Sequence, residues 1–209
     1  MLPEQVIERA RLWGLVIPVA VWEIRVGERA LVFPSRSWVR NAYNQISQWW
    51  TDVRMSGSYG DGTTTCRDIY GSTLNARSAG KVGAPVGDTS YGIVFGRGTT
   101  SWSLDDHTLA QKIEHGDGPN QMQYQGVTIT PTWNGGTNTW SIAISRTAIN
   151  NSGSTITVSE IGLAYYTSSL DPRYVRILLA RDVLTPAVNV ADAQAITATY
   201  TLTLMFPED

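Results

Sequence analysis

The chain has 209 residues, and its 16 basic and 18 acidic side chains give a formal net charge of -2. That length is enough for one large β domain, or for one domain with an appendage, to bury roughly 70% of the unfolded surface. A single cysteine, Cys66, excludes an intramolecular disulfide. Neither sign of charge forms a run of five or more, which argues against a nucleic acid or an anionic membrane as partner.

The first 60 residues differ from the rest in their sequence patterns, which predict a helix and a hairpin. Pro3-Glu4 begins a short helix that Gly14 ends. The segments on either side of Gly27-Glu28 alternate between apolar and polar residues, which predicts a hairpin. The apolar run 12–22 is well short of the roughly 20 residues of a membrane-spanning helix. The charges before it cancel, so we expect neither a membrane segment nor an export signal.

Residues 35–54 carry the clearest helical pattern. Ser35 or Ser37 can cap this helix, and apolar residues recur at three- and four-residue steps. The pattern allows two interpretations. Either the helix packs on its own domain, or it docks on another subunit through aromatic contacts. The candidate assembly contacts are Trp38, Tyr43, Trp49 and Trp50.

Glycine, serine and threonine dominate residues 56–66, which is typical of a linker or a long loop. We therefore predict an N-terminal helix and hairpin docking region at 1–60 and a second domain at 61–209. Cys66 lies at this boundary beside Arg67. We expect a half-buried, unreactive thiol, with a reactive thiol as the alternative.

Strand signals dominate the second domain. A helical turn capped by Ser103 is predicted at 104–112, and asparagine followed by glycine at 134–135 predicts a tight hairpin. Strands are predicted at 91–95, 122–130, 140–145, 155–166, 174–183 and 196–206. In the last strand, threonines alternate with apolar residues. This series predicts a mainly β protein, an antiparallel jelly-roll or immunoglobulin-like sandwich with an N-terminal helical and hairpin extension.

Few residues suggest catalysis. His107 and His115 are eight residues apart with acidic residues nearby, a spacing that matches no usual metal motif, so ordinary capping and turn roles are favoured over a divalent cation. The Gly96–Thr100 loop lacks the spacing and the lysine of a phosphate-binding loop. We predict no catalytic, cofactor-binding or metal-binding residues.

Two Arg-Asp pairs, Arg67-Asp68 and Arg181-Asp182, allow a carboxylate-pair glycosidase as an alternative. Adjacent residues on a strand face opposite ways, so separate hydrogen bonds to a neighbouring loop or subunit are favoured. Trp102 and Trp133 fall in predicted loops, where they could stack on sugars.

Several segments resemble virion proteins of tailed bacteriophages. The segments are 92–100, 104–110, 113–116, 146–163 (RTAINNSGSTITVSEIGL), 179–190 (LARDVLTPAVNV) and 199–204 (TYTLTL). In such proteins an N-x-S-G turn and an E-I-G-L strand form part of a β-sandwich on the particle. The resemblance covers roughly residues 90–206 and transfers no catalytic residues.

The resemblance implies a non-enzymatic particle component in the virion: a capsid decoration or minor capsid protein, or a neck or tail protein. Its expected partners are further copies of itself and other virion proteins. In the E-I-G-L strand, Glu160 is expected to accept hydrogen bonds from a neighbouring loop, and Gly162 to permit a bulge or a close backbone approach. The alternative function is a carbohydrate-binding module that attaches to the host surface.

Overall fold

A computed structural model of the chain describes residues 17–35, 37–51, 65–74, 76–169 and 174–205. The fold is mainly β. Its elements are, in chain order, β1 (Ile17–Val26), β2 (Arg29–Pro34), α1 (Arg40–Thr51), β3 (Cys66–Arg67), β4 (Thr73–Leu74), β5 (Ala76–Lys81), β6 (Gly92–Gly96), β7 (Glu114–His115), β8 (Gln121–Tyr124), β9 (Thr128–Asn134), β10 (Thr139–Ile149), β11 (Ile156–Ser169), β12 (Tyr174–Val190) and β13 (Ala195–Met205). The short helix predicted at the N-terminus lies outside the described residues.

Most of these strands belong to two sheets. The larger has the order β2-β1-β13-β10-β8-β7, and β9 pairs with the part of β10 that β8 leaves free. The smaller has the order β12-β11-β5, with β6 also on β11, and β3 and β4 form a separate ribbon. Pairing is antiparallel except between β7 and β8, which run parallel. The larger sheet is therefore mixed, whereas the sequence predicted an antiparallel sandwich.

The predicted hairpin around Gly27-Glu28 is confirmed as β1 and β2. Gly27 adopts a φ of +56°, a left-handed conformation that glycine tolerates without a steric cost. Along its whole length β1 also pairs with β13, from Ile17 opposite Met205 to Val26 opposite Ile196. Strand pairing thus crosses the boundary predicted at residue 60.

The core lies between the two sheets, as in a β-sandwich. Inward-facing residues of β1, β10 and β13 pack against those of β6, β11 and β12 in one cluster, which includes Trp22, Phe95, Ile144, Ile161 and Tyr200. The threonine face of β13 is only half-buried. Its hydroxyls bond across strands to β10, with Thr197 at 2.8 Å from Thr147 and Thr199 at 3.0 Å from Ser145.

The helix predicted from residue 35 begins five residues later, at Arg40. Residues 37–39 instead lie against the outer edge of β12. Trp38 bridges to Ala180, Val39 N–H donates to the Leu179 carbonyl, and Arg181 N–H donates to that of Ser37. Backbone pairing with β12 therefore outweighs the helical pattern here.

Two further predictions on element type need correction. Residues 104–112 form turns and not a helix, although Asp105 N–H does donate to the Ser103 hydroxyl at 3.3 Å. The strand predicted at 122–130 divides into β8 and β9. The reason for this break is that the Gln125 carbonyl accepts a bond from Arg146 and Val127 N–H donates to the Ala84 carbonyl. The chain therefore leaves β10 after Gln125, whose N–H still donates to the Thr147 carbonyl.

Candidate functional site

A buried carboxylate, Glu160, lies where an irregular loop meets the smaller sheet. Its strand, β11, changes register between Val158 and Glu160, and the side chain is fully buried. Three backbone N–H groups donate to its two oxygens: Gly98 at 2.9 Å, Gln111 at 2.7 Å and Ala110 at 3.1 Å. The sequence predicted donors from a neighbouring loop without identifying it, and the structure shows that they come from both ends of residues 97–112, which we call the anchored loop.

Arg181 on β12 completes the network. Its Nε donates to Glu160 at 2.8 Å and its Nη1 to Asp106 at 2.8 Å, while its Nη2 donates to the Thr100 carbonyl at 2.8 Å. Burial alone lowers the pKa of Arg181, but the hydrogen bonds that Arg181 donates to Asp106 and Glu160 outweigh it and raise that pKa. The guanidinium therefore stays charged and holds the middle of the anchored loop.

The contacts of this network attach the loop to the smaller sheet. Both oxygens of Glu160 already accept hydrogen bonds, and glycine lines the approach. A Cβ on Gly98 would lie 2.4 Å from Glu160 Oε1, and one on Gly96 would lie 2.6 Å from that atom. The backbone at Gly96 and Gly98 thus packs directly against the carboxylate. We infer a structural role for these charges, since a buried ion pair with satisfied partners fixes one arrangement of the chain.

Asp182 follows Arg181 but faces the other way. Its Oδ2 accepts from Trp22 Nε1 at 2.8 Å and from the Ser35 hydroxyl at 2.8 Å, and so links β12 to the first hairpin. The Arg67-Asp68 pair also divides. Backbone atoms of Arg67 bond the Asn41 amide, and Asp68 caps the turn that follows it. Asp68 and Asp182 are therefore each engaged in separate structural hydrogen bonds, and neither contact shows the facing pair of carboxylates that a glycosidase needs.

Gly162 lies beside the anchored loop. A Cβ at this position would lie 2.9 Å from Leu109 Cδ2, 3.0 Å from Leu178 Cδ1 and 3.1 Å from the Ala180 carbonyl oxygen. Contacts this short leave no room for a side chain. The expected close approach is therefore present, and the approaching groups come from the anchored loop and from β12.

The structure separates the residues of the alternative metal site. Asp105 pairs with Arg40 at 2.7 Å, and Glu114 with Lys112 at 3.1 Å. His115 uses its Nδ1 to accept from the Tyr124 backbone N–H at 3.1 Å. Among the residues described, no group of three His, Cys, Asp or Glu side chains could hold a metal ion.

In the same part of the chain, no helix is long and apolar enough to cross a membrane.

A second buried cation, Arg146 on β10, was missed by the sequence analysis. Its side chain is 1% exposed, and all five N–H donors reach backbone carbonyls: Gln125, Tyr91, Ile93, Pro85 and Asp88. Burial lowers its pKa, and the Tyr124 ring lies 4.8 Å away. One signal was available: Arg146 continues the inward-facing series Trp140, Ile142, Ile144.

The candidate assembly contacts lie in different surroundings. Trp38 is half-buried and donates from Nε1 to the Tyr200 hydroxyl at 2.6 Å, whereas Tyr43 is exposed. Trp49 and Trp50 belong to α1, but their side chains lie outside the described residues. Of the possible sugar platforms, Trp133 is 57% exposed, and Trp102 is exposed but held by a bond from its Nε1 to the Ser37 carbonyl at 3.1 Å.

Polar residues of α1 face inward. Asn41 pairs with both backbone groups of Arg67, Asn44 donates to the Thr65 carbonyl, and Gln45 donates to the Cys66 thiol at 3.1 Å. Cys66 is fully buried, more deeply than the sequence suggested. Burial raises the pKa of this thiol to about 11, and the bond from Gln45 opposes the rise. The thiol is therefore protonated near neutral pH.

Comparisons with protein-family models, with curated proteins and with solved structures found no match to this chain.

Proposed function

We propose that this protein is a non-enzymatic structural component of a bacteriophage particle, assembled through symmetric protein–protein contacts as a capsid decoration, minor capsid, neck or tail protein. The proposal includes a jelly-roll or immunoglobulin-like sandwich for the paired sheets, with the N-terminal region as the part that docks. Its location would be the virion, and its partners would be copies of itself and other virion proteins.

The observation that carries the proposal is a sheet edge that no described strand covers. β2 pairs with β1, and no other described strand pairs with it. Val32, at the middle of β2, is 62% exposed. An unpaired edge with an apolar side chain is a template for pairing with another chain, and monomeric proteins usually block such edges.

The buried ions support the same role. Glu160, Arg181 and Arg146 hold irregular loops to the sheets, which gives the surface a fixed shape. Repeated contacts in a symmetric assembly need surfaces of fixed shape, because each ordered side chain or loop costs binding free energy. The resemblance of residues 90–206 to virion proteins points the same way.

Two measurements test this proposal. Mass spectrometry of purified particles of the encoding phage is expected to find the chain, and its absence would contradict a virion role. Size-exclusion chromatography with light scattering is expected to find an oligomer. In that assay Val32→Lys should favour the monomer, because a lysine on an edge strand opposes pairing; Val32→Thr, which keeps the branched shape, is the matched control.

The alternative function is a carbohydrate-binding module for host attachment. The exposed indole of Trp133 favours it, since aromatic rings can stack on sugars. Binding to host-surface glycans that Trp133→Ala abolishes would support this alternative. Retention of binding by that variant would exclude Trp133 as the platform.

A further inference from the structure

Three tyrosine rings run in series from the interior to solvent on the smaller sheet. Tyr91 is buried, Tyr166 is half-buried and Tyr174 is 68% exposed. The centroids of Tyr91 and Tyr166 are 5.0 Å apart, and those of Tyr166 and Tyr174 are 5.3 Å apart with planes within 16°. We call this series the tyrosine ladder. Because its inner rings pack against each other, the outer ring is held in position although it faces water.

Two cations flank the middle ring. Tyr166 lies opposite Lys81 on β5 and opposite Arg176 on β12, so the three side chains share one row across the sheet. Lys81 Nζ is 5.5 Å from the ring centroid and Arg176 Cζ is 5.2 Å from it. Arg176 also donates from Nε to the Ser90 hydroxyl at 3.2 Å.

Within the described residues, the charge at this surface has no acidic partner, since no ion pair joins Lys81 or Arg176 to a carboxylate there. Ser90 links Arg176 to one acidic group, Asp88, whose Oδ1 already accepts from both the backbone and the hydroxyl of Ser90. Donors of Lys81 and Arg176 therefore remain for a ligand that brings its own negative charge.

The exposed tyrosine ring and the two cations beside it together indicate which class of ligand could bind here. An exposed ring face suits the C–H face of a sugar, and cations beside it suit a carboxylate on that sugar. A nucleic acid fits less well, because it needs a track of many basic residues and this chain has a net charge of -2. Two cations match one acidic sugar residue better than a polyanionic backbone.

We propose that the tyrosine ladder with Lys81 and Arg176 is a binding site for an acidic saccharide, such as a uronate or sialate residue of a surface polysaccharide. Tyr174 stacks on the ring of the sugar, and the two cations bind its carboxylate. This site gives the carbohydrate-binding alternative a place on the sheet, away from Trp102 and Trp133. It does not depend on whether the protein belongs to a particle.

The test uses the full-length protein and pairs of oligosaccharides that differ in the charge of the carboxylate but not in their sugar residues: sialyllactose with its methyl ester, and tetragalacturonate with its methyl ester. Isothermal titration calorimetry and a glycan array that carries further uronates should detect binding to an acidic member with at least about tenfold preference over its neutral partner, the value of one well-formed ion pair. Absence of binding to every acidic glycan overturns the proposal.

Variants locate the site. Tyr174→Ala should weaken binding of the acidic glycan about tenfold or more, and Lys81→Gln should reduce the preference for the charged member of each pair. Both residues are exposed, so both variants should fold, which circular dichroism checks. Trp133→Ala is the control and should bind as the wild type does. Loss of binding in Trp133→Ala alone, or binding of a single-stranded oligonucleotide in place of the glycans, would overturn the assignment.

Discussion

Replacement of Glu160 by glutamine tests whether the buried network holds the anchored loop. Glutamine keeps the size of the side chain, but it removes the charge opposite Arg181 and directs an NH2 group at one set of donors, either Gly98 and Gln111 or Ala110 and Arg181. Loss of one partner of a buried ion pair costs about 3–5 kcal/mol. A domain near the middle of the ordinary range of stability, about 10 kcal/mol, remains folded in water after this loss but unfolds earlier in denaturant.

Urea denaturation followed by tryptophan fluorescence measures the cost. With a slope of about 2–3 kcal/mol per molar urea, the midpoint should fall by about 1–2.5 M. Glu114→Gln is the matched control: Glu114 is exposed and pairs with Lys112, so the same chemical change should cost less than about 1 kcal/mol.

Hydrogen exchange then separates loop attachment from general destabilisation. The amides of Gly98, Ala110 and Gln111 should lose protection in Glu160→Gln under native conditions, before those of the β10–β13 ladder. The reasoning is refuted if Glu160→Gln costs no more than Glu114→Gln, or if the three loop amides stay as protected as in the wild type.

Three further predictions concern other buried positions. Arg146→Lys supplies at most three donors for five carbonyls and should lower the free energy of unfolding by about 2–4 kcal/mol in urea; a loss under about 0.5 kcal/mol would mean that the carbonyls find other donors. Gly162→Ala should cost about 1–3 kcal/mol by overpacking against Leu109 and Leu178, whereas Gly83→Ala, whose Cβ would meet only Ile129 at 3.5 Å, should have little effect on the melting temperature. The folded state raises the pKa of Cys66 from its ordinary 9.0 to about 11, so its contribution is complete below about pH 9 and is lost as pH rises to about 11; the stability difference from Cys66→Ala should fall across that interval, and a flat difference would contradict it.

The sequence predicts the fold best where one face of a strand is buried. β10 and β13 alternate with period two, and a two-residue glycine turn marks the first hairpin, so these elements follow from local pattern. Residues 37–39 fit a helical pattern equally well, yet they extend along β12. The competing partner is an unpaired strand edge more than 100 residues later, and no local signal reports it.

The buried network was only partly predictable. Glu160 and Arg181 stood out through their sequence motifs, but the loop donors that surround Glu160 come from the fold. Arg146 was overlooked because an arginine in a strand is normally exposed. Its position in the inward-facing register of β10 is the better guide, since register decides burial before residue type does.

Arg146 also reaches the tyrosine ladder, although it does not touch a ligand there. It binds the carbonyls of Tyr91 and Asp88, which flank Ser90, and Ser90 in turn accepts the bond from Arg176. Arg146 is therefore a positioning residue for the acidic-sugar site.

Because of these contacts, Arg146→Lys should weaken binding of the acidic oligosaccharide, although the variant keeps Tyr174, the ring that stacks on the sugar. Glu160→Gln loosens the anchored loop, which contributes no residue to the ladder and reaches the Ser90 segment through the bond from Lys112 to the Thr89 carbonyl. It should therefore weaken that binding much less than Arg146→Lys does, even though it destabilises the protein. Calorimetry of both variants, at a temperature where each is folded, distinguishes the two outcomes. Equal loss of affinity in both would mean that stability alone, and not the contacts through Ser90 and Tyr91, governs the site.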